Sequence, residues 1–310
     1  MEYRVLGRTG LRLSAIGFGA APLGNEYGNL DVSEGKRAVQ LAIDRGINYF
    51  DTAPYYGRTL SEERLGAALE GRRDEVILST KIGRYGTEDF DFSAARVCRS
   101  VDESLNRLRT DYVELLIAHD IEFGDREQII SETIPAMREV QSKGRTRFVG
   151  VSGLPLKILA DVAERARVDF VLSYCRYNLL NRDLDRWLTP VIKKHNVGLI
   201  GAAPVHMGIL TPRGAPAWHP AQKEIKDAGT KVVALCESFR VDPAVVAIRF
   251  TMGHPLIAST LVGMPRTEEV ESNVRALDYH IDEKLLAAID EVVAPVQQLI
   301  WPSGRPENDD

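Results

Sequence analysis

Short apolar runs alternate with amphipathic segments eight times along the chain, and this alternation restricts the fold more than any other feature. The apolar runs are Ala15–Gly19, Ile47–Asp51, Val76–Thr80, Val113–Ala118, Phe148–Ser152, Phe170–Ser173, Gly198–Ala202 and Ala258–Val262. They are short, rich in β-branched and aromatic residues, and apolar on both faces, as strands buried in a parallel sheet must be. Between them Ser33–Arg45, Ser61–Leu69, Ser93–Arg109, Arg126–Lys143, Pro155–Arg165, Asp183–His195, Pro243–Met252 and Thr267–Ala276 carry apolar residues at helical spacing. Ser33, Ser61 and Ser93 stand where N-caps are expected. Eight β/α units in one sheet predict a closed α/β architecture, a (β/α)8 TIM barrel, rather than an open doubly wound sheet. A length of 310 residues would also accommodate two domains. The absence of a linker, repeat or low-complexity tract instead predicts one domain over residues 1–310.

Three pieces fall outside the eightfold count. Tyr3–Leu13, with a Gly7-Arg8-Thr9-Gly10 turn, reads as an N-terminal hairpin that plugs the barrel bottom. Ala221–Phe239 and Asp282–Val293 read as two extra helices, and Thr211–Pro220 as a loop over the barrel mouth. Net charge is −5, so the basic stripe that nucleic acid requires is not expected. No apolar run approaches the roughly 20 residues of a membrane span. The N-terminal residues lack the basic and apolar regions of a secretory signal. Cys98, Cys175 and Cys236 are too few and too scattered for a disulfide framework. A cytoplasmic protein, monomeric or weakly homo-oligomeric, is expected, without nucleic-acid or membrane partners.

The active site of such a barrel lies at the C-terminal strand ends. There the second, third and fourth strands end in Asp51, Lys81 and His119, and Tyr56 follows five residues after Asp51. A buried lysine needs a counter-charge, which Asp51 is placed to give. A cation beside a phenol lowers its pKa from about 10, which would let Tyr56 act as acid or base near neutrality. His119 can hydrogen-bond and orient the reacting oxygen. Each residue taken singly has a structural alternative: an ion pair, a packed ring, a satisfied imidazole. Together, on three consecutive strands at the functional face, they suit carbonyl–alcohol interconversion coupled to a nicotinamide. The histidines show no metal-ligand spacing, so no metal is expected.

Leu6-Gly7-Arg8-Thr9-Gly10-Leu11, Asp51-Thr52-Ala53, Tyr56-Gly57, Ser79-Thr80-Lys81, His119 and Val149-Gly150-Val151-Ser152 resemble the aldo-keto reductase superfamily over nearly the whole chain. Shorter stretches resemble its branch of sugar 1-dehydrogenases that oxidise L-galactose. They are Ser173-Tyr174-Cys175, His119-Asp120-Ile121-Glu122-Phe123-Gly124, Ser131-Glu132-Thr133-Ile134-Pro135-Ala136, Trp218-His219-Pro220-Ala221, Leu261-Val262-Gly263-Met264 and Trp301-Pro302-Ser303-Gly304. The resemblance implies a catalytic tetrad of Asp51, Tyr56, Lys81 and His119. It implies NAD or NADP bound extended across the mouth, with contacts from Gly19, Ala20, Asp51, Ser152, Gly153, Tyr174, Ala203 and Pro204. The adenine half would lie along Gly263, Met264, Pro265, Arg266, Glu269 and Asn273, with the helix N-terminus near Thr267 favouring a phosphate.

Departures from the family pattern carry information. Glu269 stands where NADP-dependent relatives have Arg, and a carboxylate repels a 2′-phosphate, which favours NAD. Arg266 points the other way, since it can pair with that phosphate. Gly153 replaces an Asn expected to hold the carboxamide, and Tyr174 is the candidate to stack on the nicotinamide. Asp120 follows His119 where carbonyl-reducing relatives often carry Trp, and its carboxylate suits a polyol. Tyr56, His119, Asp120, Tyr85 and Trp301 are the expected substrate contacts; Phe90, His206 and Trp218 are further candidate walls, and Trp218 and Trp301 could equally be loop anchors. The implied reaction is oxidation of an aldose at C1 to the aldonolactone, foremost L-galactose to L-galactono-1,4-lactone, with L-fucose and D-arabinose as alternatives. A non-catalytic nucleotide-sensing subunit and a Schiff-base lyase using Lys81 are competing classes. The intact tetrad opposes the first, and the Asp51 counter-charge on Lys81 the second.

Overall fold

The computed structural model describes residues 1–310. Strands β1 (Tyr3–Val5) and β2 (Arg12–Ser14) pair antiparallel and form the expected hairpin. Eight further strands are β3 (Ile16–Gly19), β4 (Tyr49–Asp51), β5 (Ile77–Ile82), β6 (Val113–Ala118), β7 (Thr146–Gly153), β8 (Phe170–Tyr174), β9 (Gly198–Ala202) and β10 (Ile257–Gly263). All pair in parallel, and β10 closes the barrel between β9 and β3. Both faces of each strand are covered. Inward, Tyr49, Leu115, Ile117, Phe170, Leu172 and Ile200 pack against Leu6, Leu11 and Leu13, so the hairpin plugs the bottom. Outward, residues such as Phe18, Phe50, Leu116, Val149 and Val171 meet the surrounding helices in the largest apolar cluster.

The helices are α1 (Val32–Asp44), α2 (Leu60–Ala68), α3 (Ala94–Leu108), α4 (Arg126–Gln128), α5 (Ile134–Ser142), α6 (Leu156–Arg165), α7 (Leu184–Trp187), α8 (Thr189–His195), α9 (Lys223–Ser238), α10 (Pro243–Met252), α11 (Thr267–Val274) and α12 (Glu283–Val293). The two extra helices are α9 and α12. Two expected helices are interrupted, each near a proline. A π turn at Ile129–Thr133 separates α4 from α5, just before Pro135, and Leu188 separates α7 from α8, just before Pro190. A proline inside a helix has no N–H for the preceding turn and crowds its carbonyl, so the chain widens or breaks there.

Two of the three serine caps are corrected. Asp31, not Ser33, caps α1: its carboxylate accepts from Glu34 N at 2.9 Å, and Ser33 Oγ donates to that carboxylate. Ser61 lies inside α2, buried, donating to Ala20 O at 2.7 Å beside Thr52 Oγ1. Ser93 caps α3 as expected. The C-terminal tail ties the mouth loops together. Asn308 Nδ2 donates to Glu122 O and Gly124 O after β6. The Asp310 carboxylate accepts the first two amides of α6, from Leu156 and Lys157, and pairs with buried Arg176 at 2.7 Å. No helix is long and apolar enough to cross a membrane.

Candidate active site

Parallel pairing sets Gly19, Asp51 and Ser79 level with one another, and Lys81 level with Ile117. His119 continues this pairing one residue past β6, its N–H donating to Ile82 O at 2.8 Å. Asp51, Ser79, Lys81 and His119 share the parity of the inward residues Tyr49, Leu115 and Ile117, so all four enter the mouth. Strand β5 is longer than its apolar run, and Lys81 therefore sits on rigid strand, 1% exposed. Its Nζ lies 2.6 Å from Asp51 Oδ2 and 2.7 Å from Thr52 O. Ser79 Oγ donates to the other Asp51 oxygen at 2.6 Å, and Tyr49 Oη lies 3.1 Å from Ser79 Oγ. Removing one partner of so buried an ion pair costs on the order of 3–5 kcal/mol, because the other charge is left stranded.

Tyr56 stands on the turn after β4. Gly57 follows at φ 62°, and a Cβ there would overlap Gly24 O at 2.2 Å, so close loop packing fixes the turn. The Lys81 ammonium lies over the Tyr56 ring, 4.7 Å from its centroid. The His119 ring meets Tyr56 edge-on, centroids 5.6 Å apart, and Tyr55 at 6.0 Å. His119 Nε2 is 3.6 Å from Asp120 Oδ2, and its buried Nδ1 has no hydrogen-bond partner.

The protonation states correct one expectation. Burial pushes the Tyr56 phenol well above its usual value, and the Asp51 and Asp120 carboxylates act in the same direction. Lys81 does not lower it as expected: its ammonium lies over the Tyr56 ring and is paired with Asp51. Burial holds His119 neutral, lowered to about 3; Asp120 opposes that shift, while Lys81 and Arg84 support it. The arrangement therefore offers a protonated phenol and a neutral imidazole to one reacting oxygen.

The other expected contacts divide into several groups. Asp120, in the left-handed conformation at φ 50°, lies beside His119 and receives the Arg84 guanidinium at 2.5 Å. Tyr174 ends β8, and Asp120, Glu122 and Arg84 are in its electrostatic surroundings. Ser152 Oγ accepts the Asp120 amide at 3.4 Å. Gly153 turns away from the mouth: a Cβ there would meet Glu122 Oε2 at 2.5 Å and Leu159 at 3.5 Å. Gly19 pairs with Gly263 at the β3–β10 seam, and Ala20 N donates to Asp51 O. Ala203 (φ 55°) and Pro204 open a loop in which His206 and Met207 also have left-handed backbones. Pro265 leads into α11, where Asn273 is buried.

Two placements differ from expectation, and a third falls on one of two expected alternatives. Met264 is fully buried in the outer core. Tyr85 packs under Arg96 of α3, 3.8 Å from guanidinium to ring, and accepts from Gly83 N, so its neighbour Arg84 takes the place beside Asp120. Trp301 is 6% exposed and meets His206 and His219 edge-on, as a loop anchor. Sequence reasoning missed Arg84, Tyr55 and the bracing hydroxyl of Ser79. The signal for Arg84 was a cation three residues past Lys81, amid Tyr85 and Phe90.

At the start of α11, Thr267 N and Oγ1 both donate to Glu34 Oε1 at 2.9 Å, and Glu269 accepts the Arg266 amide at 3.3 Å. Arg266 Nη1 lies 3.5 Å from Glu269 Oε1. This helix N-terminus thus already carries two carboxylates, which corrects its reading as a free phosphate site.

The aldo/keto reductase family model matches residues 15–294. The chain is 45% identical to the L-galactose dehydrogenase of Arabidopsis thaliana, covering 99% of each chain. It is 29% identical to a D-threo-aldose 1-dehydrogenase of a Pseudomonas species, over 91% of this chain and 94% of that one. An aldo-keto reductase from Bacillus halodurans, solved in its holo form, matches at TM-score 0.81 and 27% identity over all of both chains. With the closed barrel and its Asp51–Lys81 pair at the mouth, these matches establish that the chain belongs to the aldo/keto reductase family.

Proposed function

We propose that the protein oxidises an aldose at C1 to the aldonolactone, with L-galactose going to L-galactono-1,4-lactone and NAD as the cofactor. The observation that carries this reading is the Asp120 carboxylate, 3.6 Å from the imidazole that would hold the reacting oxygen. It gives a hydroxyl-rich substrate an acceptor next to the reaction centre. The 45% identity to an L-galactose dehydrogenase supports the choice of sugar.

A nicotinamide dinucleotide, when bound, supplies the acceptor for the hydrogen leaving C1. The left-handed turns at Ala203, His206 and Met207 fit such a group, since strained backbone at a strand end marks a ligand-shaped loop. Gly19, Ala20, Ser152, Tyr174, Ala203 and Pro204 would hold the nicotinamide and diphosphate portions, and Gly263, Pro265 and Asn273 the adenosine. Glu34 and Glu269 at the start of α11 disfavour a 2′-phosphate, and Arg266 is already engaged by Glu269. This supports NAD.

Tyr56, in its phenolate form, takes the proton of the C1 hydroxyl as the C1–H bond breaks, so turnover draws on the ionised fraction. Lys81, fixed by Asp51 and Thr52 O, stabilises the negative charge developing near that oxygen. His119 stays neutral and donates a hydrogen bond to the same oxygen, which orients C1. Asp120 accepts a neighbouring hydroxyl. The oxidised carbon is already in the ring, so the product is a lactone. The test is kcat/KM for L-galactose, L-fucose and D-arabinose with NAD and with NADP. L-galactose with NAD should rank first; no turnover of any aldose with either cofactor would overturn the proposal.

A further inference from the structure

Arg84 is a half-buried cation beside the tetrad that the mechanism above does not use. Its backbone is pinned by a bridge to Phe90 as the loop after β5 folds back. Its guanidinium lies 3.9 Å from the centroid of Tyr55 and 5.3 and 5.2 Å from those of Phe90 and Phe123. Those two phenylalanines stack on each other at 4.4 Å, with an interplanar angle of 8°. Planar groups on several sides suit a guanidinium and not an ammonium. From this box Nη1 reaches Asp120 Oδ2, the oxygen nearest His119 Nε2. No donor of the chain reaches the other Asp120 oxygen.

We propose that Arg84 is a positioning residue: it cancels the Asp120 charge and holds that carboxylate so that one oxygen faces a substrate hydroxyl while His119 and Tyr56 keep the protonation states the reaction needs. The proposal rests on the reading of the site given above. A bare carboxylate 3.6 Å from an imidazole favours imidazolium, and the same uncompensated charge makes the nearby Tyr56 phenol harder to ionise. His119 is faced by Asp120, Lys81, Arg84, Tyr55 and Tyr56. Tyr56 is faced by Asp51, Lys81, Asp120, Tyr27 and Arg84. Around Asp120 itself stand Arg84, His119, Tyr174 and Glu122. Lys81 is already spent on Asp51, so Arg84 is the cation left to balance Asp120.

The test is the ring titration of His119 by NMR on the full-length protein, with its resonance assigned from His119→Gln, alongside the pH profile of kcat. In Arg84→Met the His119 titration should rise by about one unit or more, as expected for a carboxylate freed within 4 Å. The profile should move to higher pH and kcat should fall about tenfold or more. Arg84→Lys should keep most of the parent titration, and Asp120→Asn added to Arg84→Met should restore it. Asp120→Asn alone, which leaves Arg84 unbalanced, should move the kcat profile to lower pH; this arm stands if Arg84→Met fails to fold. An unchanged His119 titration and pH profile, with loss confined to thermal stability or KM, would overturn the proposal. The titration needs no substrate, so absence of aldose turnover would overturn the functional reading and not this one.

Discussion

Protonation at the mouth is decided by burial before any charge acts. Tyr56 is raised well above the ordinary phenol, so the fraction able to take a proton increases tenfold per pH unit through neutrality. The oxidation rate should therefore climb with pH and show no plateau between pH 6 and 9. His119, lowered to about 3, should add no inflection there. A rate that falls as pH rises would contradict this assignment. Tyr56→Phe keeps the ring against Lys81 and His119 and removes only the hydroxyl. It should bind cofactor as the parent does and lose on the order of 10²-fold or more in kcat. Equilibrium fluorescence titration and steady-state kinetics separate the two effects, and activity within threefold of the parent would remove Tyr56 from its role.

The element that governs the site most is the loop after β6, which carries His119, Asp120 and Glu122 within four residues. The C-terminal tail holds it from behind: Ser303 Oγ donates to Glu122 Oε1, and Arg305 N and Asn308 Nδ2 donate to Glu122 O. Glu122 is fully buried with Oε2 unpartnered, and burial raises its carboxyl to about 8. Between pH 4.5 and 8 the unfolded chain releases a proton that the folded state retains. Stability therefore falls as pH rises through this window, and the loss is complete above the folded pKa. Glu122→Gln should raise the Tm above the parent's by an amount that is small at pH 4.5 and largest at pH 8. A gain independent of pH would show that Glu122 is charged in the fold. None of this was legible in the sequence, because it depends on a tail about 180 residues from the loop it covers. The cap at Ser33 failed for a local reason: Asp31 and Ser33 are both cap-forming residues two positions apart at the start of the same helix, and spacing alone does not rank them.

At the scale of the whole molecule the barrel was legible because short runs apolar on both faces and period-3.6 segments alternate eight times, and only closure buries both faces of every strand. The tetrad was legible because three of its members end consecutive strands, so topology alone brings them together. Arg84 was not, because its direction is set by the fold-back of its loop and by rings from three segments. The same geometry leads to the central claim, that Tyr56, Lys81 and His119 act on the C1 oxygen of a cyclic sugar. The most direct test is proton and carbon NMR of the product within seconds of mixing enzyme, L-galactose and NAD. A lactone formed first, with the free acid following as it hydrolyses, is the predicted result. A free acid formed before any lactone, or oxidation at a ring carbon other than C1, would contradict it.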